Sequence, residues 1–417
     1  VSGEDQHDPS EGRLMVVPAS GGALRDLLPG YDAHVRALAW KDGDTLQFLA
    51  DEGVGSTLGE VRRDGTSRQT LVSGDALVMT TLDRAGSGGL SLIADTAAHP
   101  GEVYVLQPGA GAPIRLTDSN PWLARMRLAK QEVVTFTARD GLELQGILIR
   151  PIDEKPGVRY PLILTVHGGP EARDANGWRT GYANPGQVGA AQGFAVFYPN
   201  YRGSTGRGVT FSKLGQGDAA GKEFDDLVDA VDHLVRSGLV DREKVGITGG
   251  SYGGYASAWG ATYYTERFAA AVMFVGISNK VSKVGTTDIP DEEYLVHARK
   301  RVWDDWQMFL ERSPVYHAAK SRTPVLILHG SADPRVNPTQ SLELYRHLKM
   351  HGRTPVRLVW YPGEGHGNRR AASRLDYNLR LMQWMSHYLQ GPGGEPPAYD
   401  RLDYHERSGT TEAGSGG

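Results

Sequence analysis

The sequence predicts a chain in two parts: a portion of an all-β propeller over residues 1–125, then an α/β unit with a doubly wound, mostly parallel sheet over residues 126–394. Three observations carry that prediction. Short β-like runs recur at blade length before residue 120, and apolar strands alternate with helical periods after residue 130. One of those later strands runs straight into Gly249-Gly250-Ser251-Tyr252-Gly253. The polar, Gly/Ser-rich tail over residues 395–417 is expected to be disordered and carries no chemistry.

The repeats come first in the chain. Leu14-Met-Val-Val-Pro-Ala-Ser-Gly-Gly22 leads to Leu27-Leu28, Gly59-Glu-Val-Arg-Arg-Asp-Gly65 to Leu71-Val72, and Gly101-Glu-Val-Tyr-Val-Leu-Gln-Pro-Gly109 to Ile114-Arg-Leu116. Their spacing of about 42 to 45 residues is the length of a four-stranded blade. Ala50-Asp51 and Ala94-Asp95 close the preceding strands at the same offset. A closed ring needs roughly four to eight blades. This stretch has room for fewer than three.

Composition sets the outer limits. The 417 residues are 39% hydrophobic, enough for two domains with a sizeable core. A net charge of −4 gives no electrostatic reason to expect nucleic acid or an anionic membrane as partner. No apolar run has membrane-spanning length, and no charged-then-apolar leader opens the chain. The first residue is Val1, so a processed or trimmed N-terminus is expected, and any export signal would lie outside it. The compartment is left open between cytoplasm and periplasm or secretion. With zero cysteines, disulfides, thiolate metal sites and cysteine nucleophiles are all excluded. Neither a metal nor a cofactor is expected.

The α/β part follows in order. Glu132–Thr137 and Leu142–Ile149, joined by Arg139-Asp-Gly141, alternate as a hairpin does. Tyr160–Val166 is a near-continuous apolar run, the mark of a strand covered on both faces, and Phe194–Tyr198 is another. Phe224, Leu227, Val228, Val231, Leu234 and Val235 keep helical spacing, with Gly238 as the stop. Strands follow at Val245–Ile247, Ala269–Val275, Pro324–Leu328 and Val356–Tyr361, and Leu375, Leu379, Met382, Met385 and Leu389 mark a closing helix.

Gly249-x-Ser251-x-Gly253 is the G-x-S-x-G elbow, which lifts a nucleophilic serine onto a sharp turn between strand and helix. The turn leaves no room for a Cβ on either flank, so glycines stand there. A serine hydroxyl also needs a base, and the base needs a carboxylate to fix its tautomer. In α/β-hydrolases these follow in the order Ser, acid, His. Asp333 lies just past the strand end in Leu328-His-Gly-Ser-Ala-Asp-Pro-Arg-Val336, and His366 lies in the Gly-flanked loop Tyr361-Pro-Gly-Glu-Gly-His-Gly367. His329 and His167 precede the acid or the nucleophile and are read as structural or supporting groups. His233, His347 and His387 fall on helices. The Tyr252 amide is one oxyanion donor by construction. For the second donor two loops compete: His167-Gly-Gly-Pro170, and Asn200-Tyr-Arg-Gly-Ser-Thr-Gly206 with the Tyr201 phenol. Trp303, Trp306 and Phe309 could line a substrate pocket, but their spacing fits helix core as well. Glu292-Glu293 is read as a solvated helix start.

Together His167-Gly-Gly-Pro, Asn200-Tyr-Arg-Gly-Ser, Gly249-Gly-Ser-Tyr-Gly-Gly-Tyr, His329-Gly-Ser-Ala-Asp-Pro-Arg-Val and Gly363-Glu-Gly-His-Gly resemble the prolyl oligopeptidase family of serine peptidases, most of all its acylaminoacyl-peptidase and dipeptidyl-peptidase-like branch. The resemblance covers residues 130 to 390. It implies Ser251, Asp333 and His366 as a triad, Tyr201 hydroxyl and Tyr252 amide as the oxyanion hole, and a propeller that caps the site. Its aminopeptidase branches keep substrate-binding glutamates in a part of the propeller that this chain does not include. The expected activity is hydrolysis of short peptides or acyl-amino acids through an acyl-enzyme. A carboxylesterase or amidase with the same triad is the near alternative, and a catalytically inert propeller-based binding protein the distant one. Expected partners are the substrate and, beyond it, a separate N-terminal propeller fragment or a second copy of the chain. Nucleic acid and membrane are not expected.

Overall fold

The computed structural model describes residues 11–84 and 88–398. The expectation of a disordered tail therefore falls, beyond residue 398, outside the described residues. Ten antiparallel strands come first: β1 Met15–Val16, β2 Arg25–Asp26, β3 His34–Trp40, β4 Thr45–Glu52, β5 Gly55–Arg62, β6 Gln69–Gly74, β7 Val78–Arg84, β8 Leu90–Thr96, β9 His99–Leu106 and β10 Ile114–Arg115. They form two four-stranded sheets, β3-β4-β5-β6 and β7-β8-β9-β10, and the isolated pair β1-β2. The three sequence echoes map onto β1-β2, β5-β6 and β9-β10, so the first echo contributes only an outer pair where the others complete a sheet.

Strand alternation explains how these sheets stack. Leu46 and Phe48 point from β4 to one side, where Leu14, Leu27 and Leu28 of the β1-β2 segment cover them. Leu49 points to the other, meeting Leu58, Met79, Leu90 and Leu92 between the two blades.

Eight further strands follow: β11 Gln131–Thr137, β12 Glu143–Ile149, β13 Tyr160–Val166, β14 Ala195–Asn200, β15 Val240–Gly250, β16 Ala270–Phe274, β17 Val325–Gly330 and β18 Val356–Tyr361. Their order is β11-β12-β14-β13-β15-β16-β17-β18, with β11, β12 and β14 paired antiparallel and every later pair parallel. The chain builds outward from β13 to β14, then returns to the far side of β13 with β15. That reversal is a topological switch point, and the crevice it opens at the strand C-termini is where open α/β sheets bind their ligands.

The helices are α1 Gly186–Ala191, α2 Gly208–Ser212, α3 Lys222–Arg236, α4 Tyr252–Thr262, α5 Lys280–Val284, α6 Trp306–Glu311, α7 Thr339–His351 and α8 Ala371–Leu389. Phe224, Leu227, Val231 and Leu234 give α3 one apolar face, its first turn carries Glu223 and Asp225, and Arg236 ends it, an arrangement that also suits the helix dipole. Helix α4 is different: all eleven residues are buried, and its small Gly, Ala and Ser residues let it lie against the sheet. One core packs α3 and α4 on the first face, with Phe224, Leu227 and Trp259 against Leu162, Leu164 and Ile247. The other packs α1 and α8 on the opposite face, with Ala190, Leu381, Trp384 and Met385 against Ile163, Val196 and Val272. No helix among the described residues is long and apolar enough to cross a membrane.

Candidate active site

Ser251 stands between β15 and α4 with φ 59° and ψ −118°, a left-handed value that a non-glycine residue holds only when its surroundings enforce it. Its neighbours do so. A Cβ on Gly249 would fall 2.3 Å from the Val166 carbonyl oxygen, and one on Gly253 would fall 2.0 Å from the same atom. Ser251 N donates to the Phe274 carbonyl at 3.0 Å, fastening the elbow to β16.

Asp333 and His366 sit on interlocked loops beyond β17 and β18. Ala332 N donates to the Glu364 carbonyl at 2.9 Å, while the Glu364 carboxylate accepts from the Arg369 and Arg370 amides at 2.8 and 3.1 Å. His366 Nδ1 lies 2.7 Å from Asp333 Oδ2. A carboxylate there keeps the proton on Nδ1 and leaves the Nε2 lone pair as the base. Asp333 is buried, and all of its acceptor capacity is used. Oδ1 takes the Arg335 and Val336 amides at 2.9 and 3.1 Å, and Oδ2 also receives His329 Nε2 at 3.1 Å. Burial works to raise this carboxyl, but hydrogen bonds from His329 and His366 outweigh it and hold the pKa at about 2. His329 Nε2 faces a second acceptor, the Val336 carbonyl at 2.9 Å, so it is the protonated nitrogen, and Nδ1 accepts from Ser341 Oγ at 2.6 Å.

Ser251 and His366 line one cavity of about 300 Å³, together with His167, Gly168, Asp174, Tyr182, Asn184, Phe274 and Val275. Gly168 brings the His167–Pro170 turn against Ser251: a Cβ placed on it would be 3.3 Å from Ser251 Cβ. The other competing donor is placed differently. Tyr201 is fully buried, its ring stacks on His167 at 4.4 Å, and its hydroxyl donates to the His167 carbonyl at 3.0 Å. A phenol has one proton, and this one is committed to the backbone. The expectation that the Tyr201 hydroxyl serves the oxyanion is therefore corrected: it braces the His167 turn from behind. The Tyr252 side chain turns away from the cavity floor, donating to Glu223 Oε1 at 3.0 Å and packing on His297 at 4.8 Å, while its amide stays at the elbow.

Two further expectations change. Glu293 is buried at 2% exposure and paired with Lys280, itself 1% exposed, and the Lys283 ammonium reaches Glu292, so Glu292-Glu293 is not a solvated helix start. Two lysines turned inward from α5 supply the opposite charge that makes burying the glutamates tolerable. Trp303 and Trp306 are 66% and 57% exposed and Phe309 is buried beside Ala298 and Val302, so none of the three lines the cavity.

The blades grip the loop that walls this cavity, which sequence reasoning missed. Arg173 pairs with Asp51 of β4 at 2.7 Å and donates to the Gly53 carbonyl at 2.7 Å. Asp95 of β8 accepts from Trp178 N at 3.1 Å. The signal was present in the equal offsets of Asp51 and Asp95 within their repeats. Glu11 fastens a different loop, the one over Asn200–Gly206, by accepting the Gly206 amide at 2.7 Å.

The fold and site define an α/β-hydrolase carrying a Ser–His–Asp constellation beneath part of a propeller. The family description "Prolyl oligopeptidase family" matches residues 182–392. Over 344 residues the chain is 34% identical to dipeptidyl aminopeptidase BIII of Pseudoxanthomonas mexicana, covering 79% of this chain and 49% of that protein. It is 31% identical over 267 residues to the acylamino-acid-releasing enzyme of Sus scrofa, covering 62% of this chain and 35% of that one. Acylaminoacyl peptidase from Pyrococcus horikoshii superposes with a TM-score of 0.81 at 24% identity, covering 94% of this chain and 61% of that one. The chain belongs to the prolyl oligopeptidase family. It spans about half the length of the curated relatives it matches.

Proposed function

We propose that the chain is a serine peptidase acting on short peptides through an acyl-enzyme, with Ser251 as nucleophile, His366 as base and Asp333 as the group that orients it. The observation that carries this reading is the 2.7 Å contact of His366 Nδ1 with Asp333 Oδ2, beside a strained Ser251 lining the same cavity as His366. Names of relatives, an aminopeptidase and an acylamino-acid-releasing enzyme, support the peptide class of substrate.

Ser251 Oγ attacks the scissile carbonyl carbon while its proton passes to His366 Nε2. The oxyanion is held by the Tyr252 amide and an amide of the Gly168–Gly169 turn. As the intermediate collapses, the C–N bond breaks and His366 returns the proton to the departing amine. Water, deprotonated by His366, then attacks the Ser251 ester; the ester C–O bond breaks, His366 returns the proton to Ser251 Oγ, and the acid is released. Asp333 stays ionised throughout, because four donors hold its charge.

Labelling with a fluorophosphonate probe tests the assignment. Wild-type protein should be modified at Ser251 and hydrolyse peptide anilides, and Ser251→Ala should do neither. Folded wild-type protein that resists the probe sinks the proposal. Ester turnover without any anilide turnover moves it to a carboxylesterase.

A further inference from the structure

We infer that Asp174 is the acceptor for a protonated substrate amine, so that the cavity beside Ser251 selects peptides with a free amino terminus over N-acylated ones. The inference rests on the serine peptidase reading and names its substrate class. Asp174 lines the cavity shared by Ser251 and His366, yet it is only 6% exposed. Its Oδ1 is engaged by Arg179 Nη1 at 2.5 Å, and its Oδ2 is buried with no hydrogen-bond partner. A buried carboxylate oxygen left bare costs free energy, and an ammonium entering the cavity brings three donors and the opposite charge.

The carboxylate is also held in place. Asp174 N donates to Asn200 Oδ1 at 2.7 Å, and Asn200 Nδ2 donates back to the Asp174 carbonyl at 2.9 Å. One residue before it, Arg173 is tied to Asp51, and four residues after it the Trp178 amide is tied to Asp95. The acceptor is thus fixed before substrate arrives, which is what preserves affinity on binding. Asp174 already carries one counter-charge, the Arg179 guanidinium on Oδ1, so an ammonium on Oδ2 would be the second cation on this carboxylate. His167 has Nδ1 at 2.8 Å from the Gly168 carbonyl and Nε2 at 2.9 Å from Ser204 Oγ, and burial lowers its pKa. One carboxylate is too few ligands for a metal ion. A cavity of about 300 Å³ is at the small end for ligand sites and suits one or two residues.

The test uses the full chain and matched aminoacyl- and dipeptidyl-p-nitroanilides, each with a free or an N-acetylated amino terminus, plus an N-acetyl-lysyl anilide to separate an α-amine from a basic side chain. The free-amine members should lead in kcat/KM, and in Asp174→Asn the free-to-acetylated ratio should fall by about 10- to 100-fold through KM, the scale of a charge-assisted hydrogen bond. In wild-type protein KM for the free-amine substrates should rise as pH passes the α-amine pKa near about 8, an arm that needs no variant. An unchanged ratio in Asp174→Asn, equal losses on both substrate types, or turnover of the acetyl-lysyl substrate alone overturns the inference. Fluorophosphonate labelling of the same samples separates the two failures. Labelled Ser251 without free-amine preference defeats the Asp174 role only, whereas absent labelling and absent turnover defeat the peptidase reading and the inference with it.

Discussion

Asp333 and Glu223 are both buried carboxylates beside the candidate site, and they end in opposite charge states. Asp333 meets four donors, two backbone amides and two imidazoles, and its pKa falls to about 2. Glu223 meets three, its own amide, the Ala220 amide at 2.5 Å and the Tyr252 hydroxyl at 3.0 Å, the last two on Oε1, while Oε2 has no hydrogen-bond partner. Burial dominates there and pushes its pKa up to about 7. Depth of burial and the donors aimed at an acid together decide whether it is charged. Asp333 therefore stays ionised down to about pH 2, while Glu223 is neutral below about pH 7.

The largest expected effect breaks the Asp333 side of that comparison. Asp333→Asn should lower kcat by about 10⁴-fold by destabilising the required His366 tautomer, whereas Glu223→Gln, which copies the protonated acid, should change kcat by less than about tenfold at pH 6. Steady-state kinetics on a peptide anilide would show both, and comparable losses in the two variants would erase the distinction. Next in size is the clasp on the cavity wall. Arg173→Ala removes one of the two cations on buried Asp51, leaving Arg36, and should cost about 1.5–3 kcal/mol in denaturant unfolding. A loss below 1 kcal/mol, on the scale of an exposed pair, would contradict that.

Glu223 offers a finer test through pH. Its folded pKa lies above the unfolded value of 4.5, so its stabilising contribution is complete below pH 4.5 and is lost as pH rises through about 7. Glu223→Gln should remove that fall, on the order of 3 kcal/mol, from the stability curve between those pH values. Asp333 has the reverse sign: its contribution is present above 3.8 and fades as pH drops toward about 2. Parallel curves for wild type and Glu223→Gln would show that Glu223 ionises normally. The smallest effect belongs to Asp95, which accepts one amide and keeps an acceptor as Asn; Asp95→Asn should cost about 1 kcal/mol or less by thermal unfolding.

The strands of the α/β part were legible because burial on both faces writes a continuous apolar run, as in Tyr160–Val166, and the elbow was legible because Gly249 and Gly253 are sterically obligatory. Tyr201 was misjudged because a tyrosine in a loop near the site says nothing about where its one proton points. Glu292-Glu293 was misjudged because two adjacent acids read as solvent-facing until Lys280 and Lys283, about ten residues earlier, are folded against them. Asp174 gave no signal: an aspartate in a polar loop is ordinary until its neighbours are known.

By itself the sequence determined the elements and their order, since periodicity and obligatory glycines are local and steric. It also placed Ser251, Asp333 and His366 in chain order at the ends of strands. Only the tertiary structure decided which acids are charged, which phenol is already spoken for, and that blade aspartates 51 and 95 grip the loop bearing Asp174. Charge state and hydrogen-bond commitment depend on partners far away in sequence, and no local pattern records them.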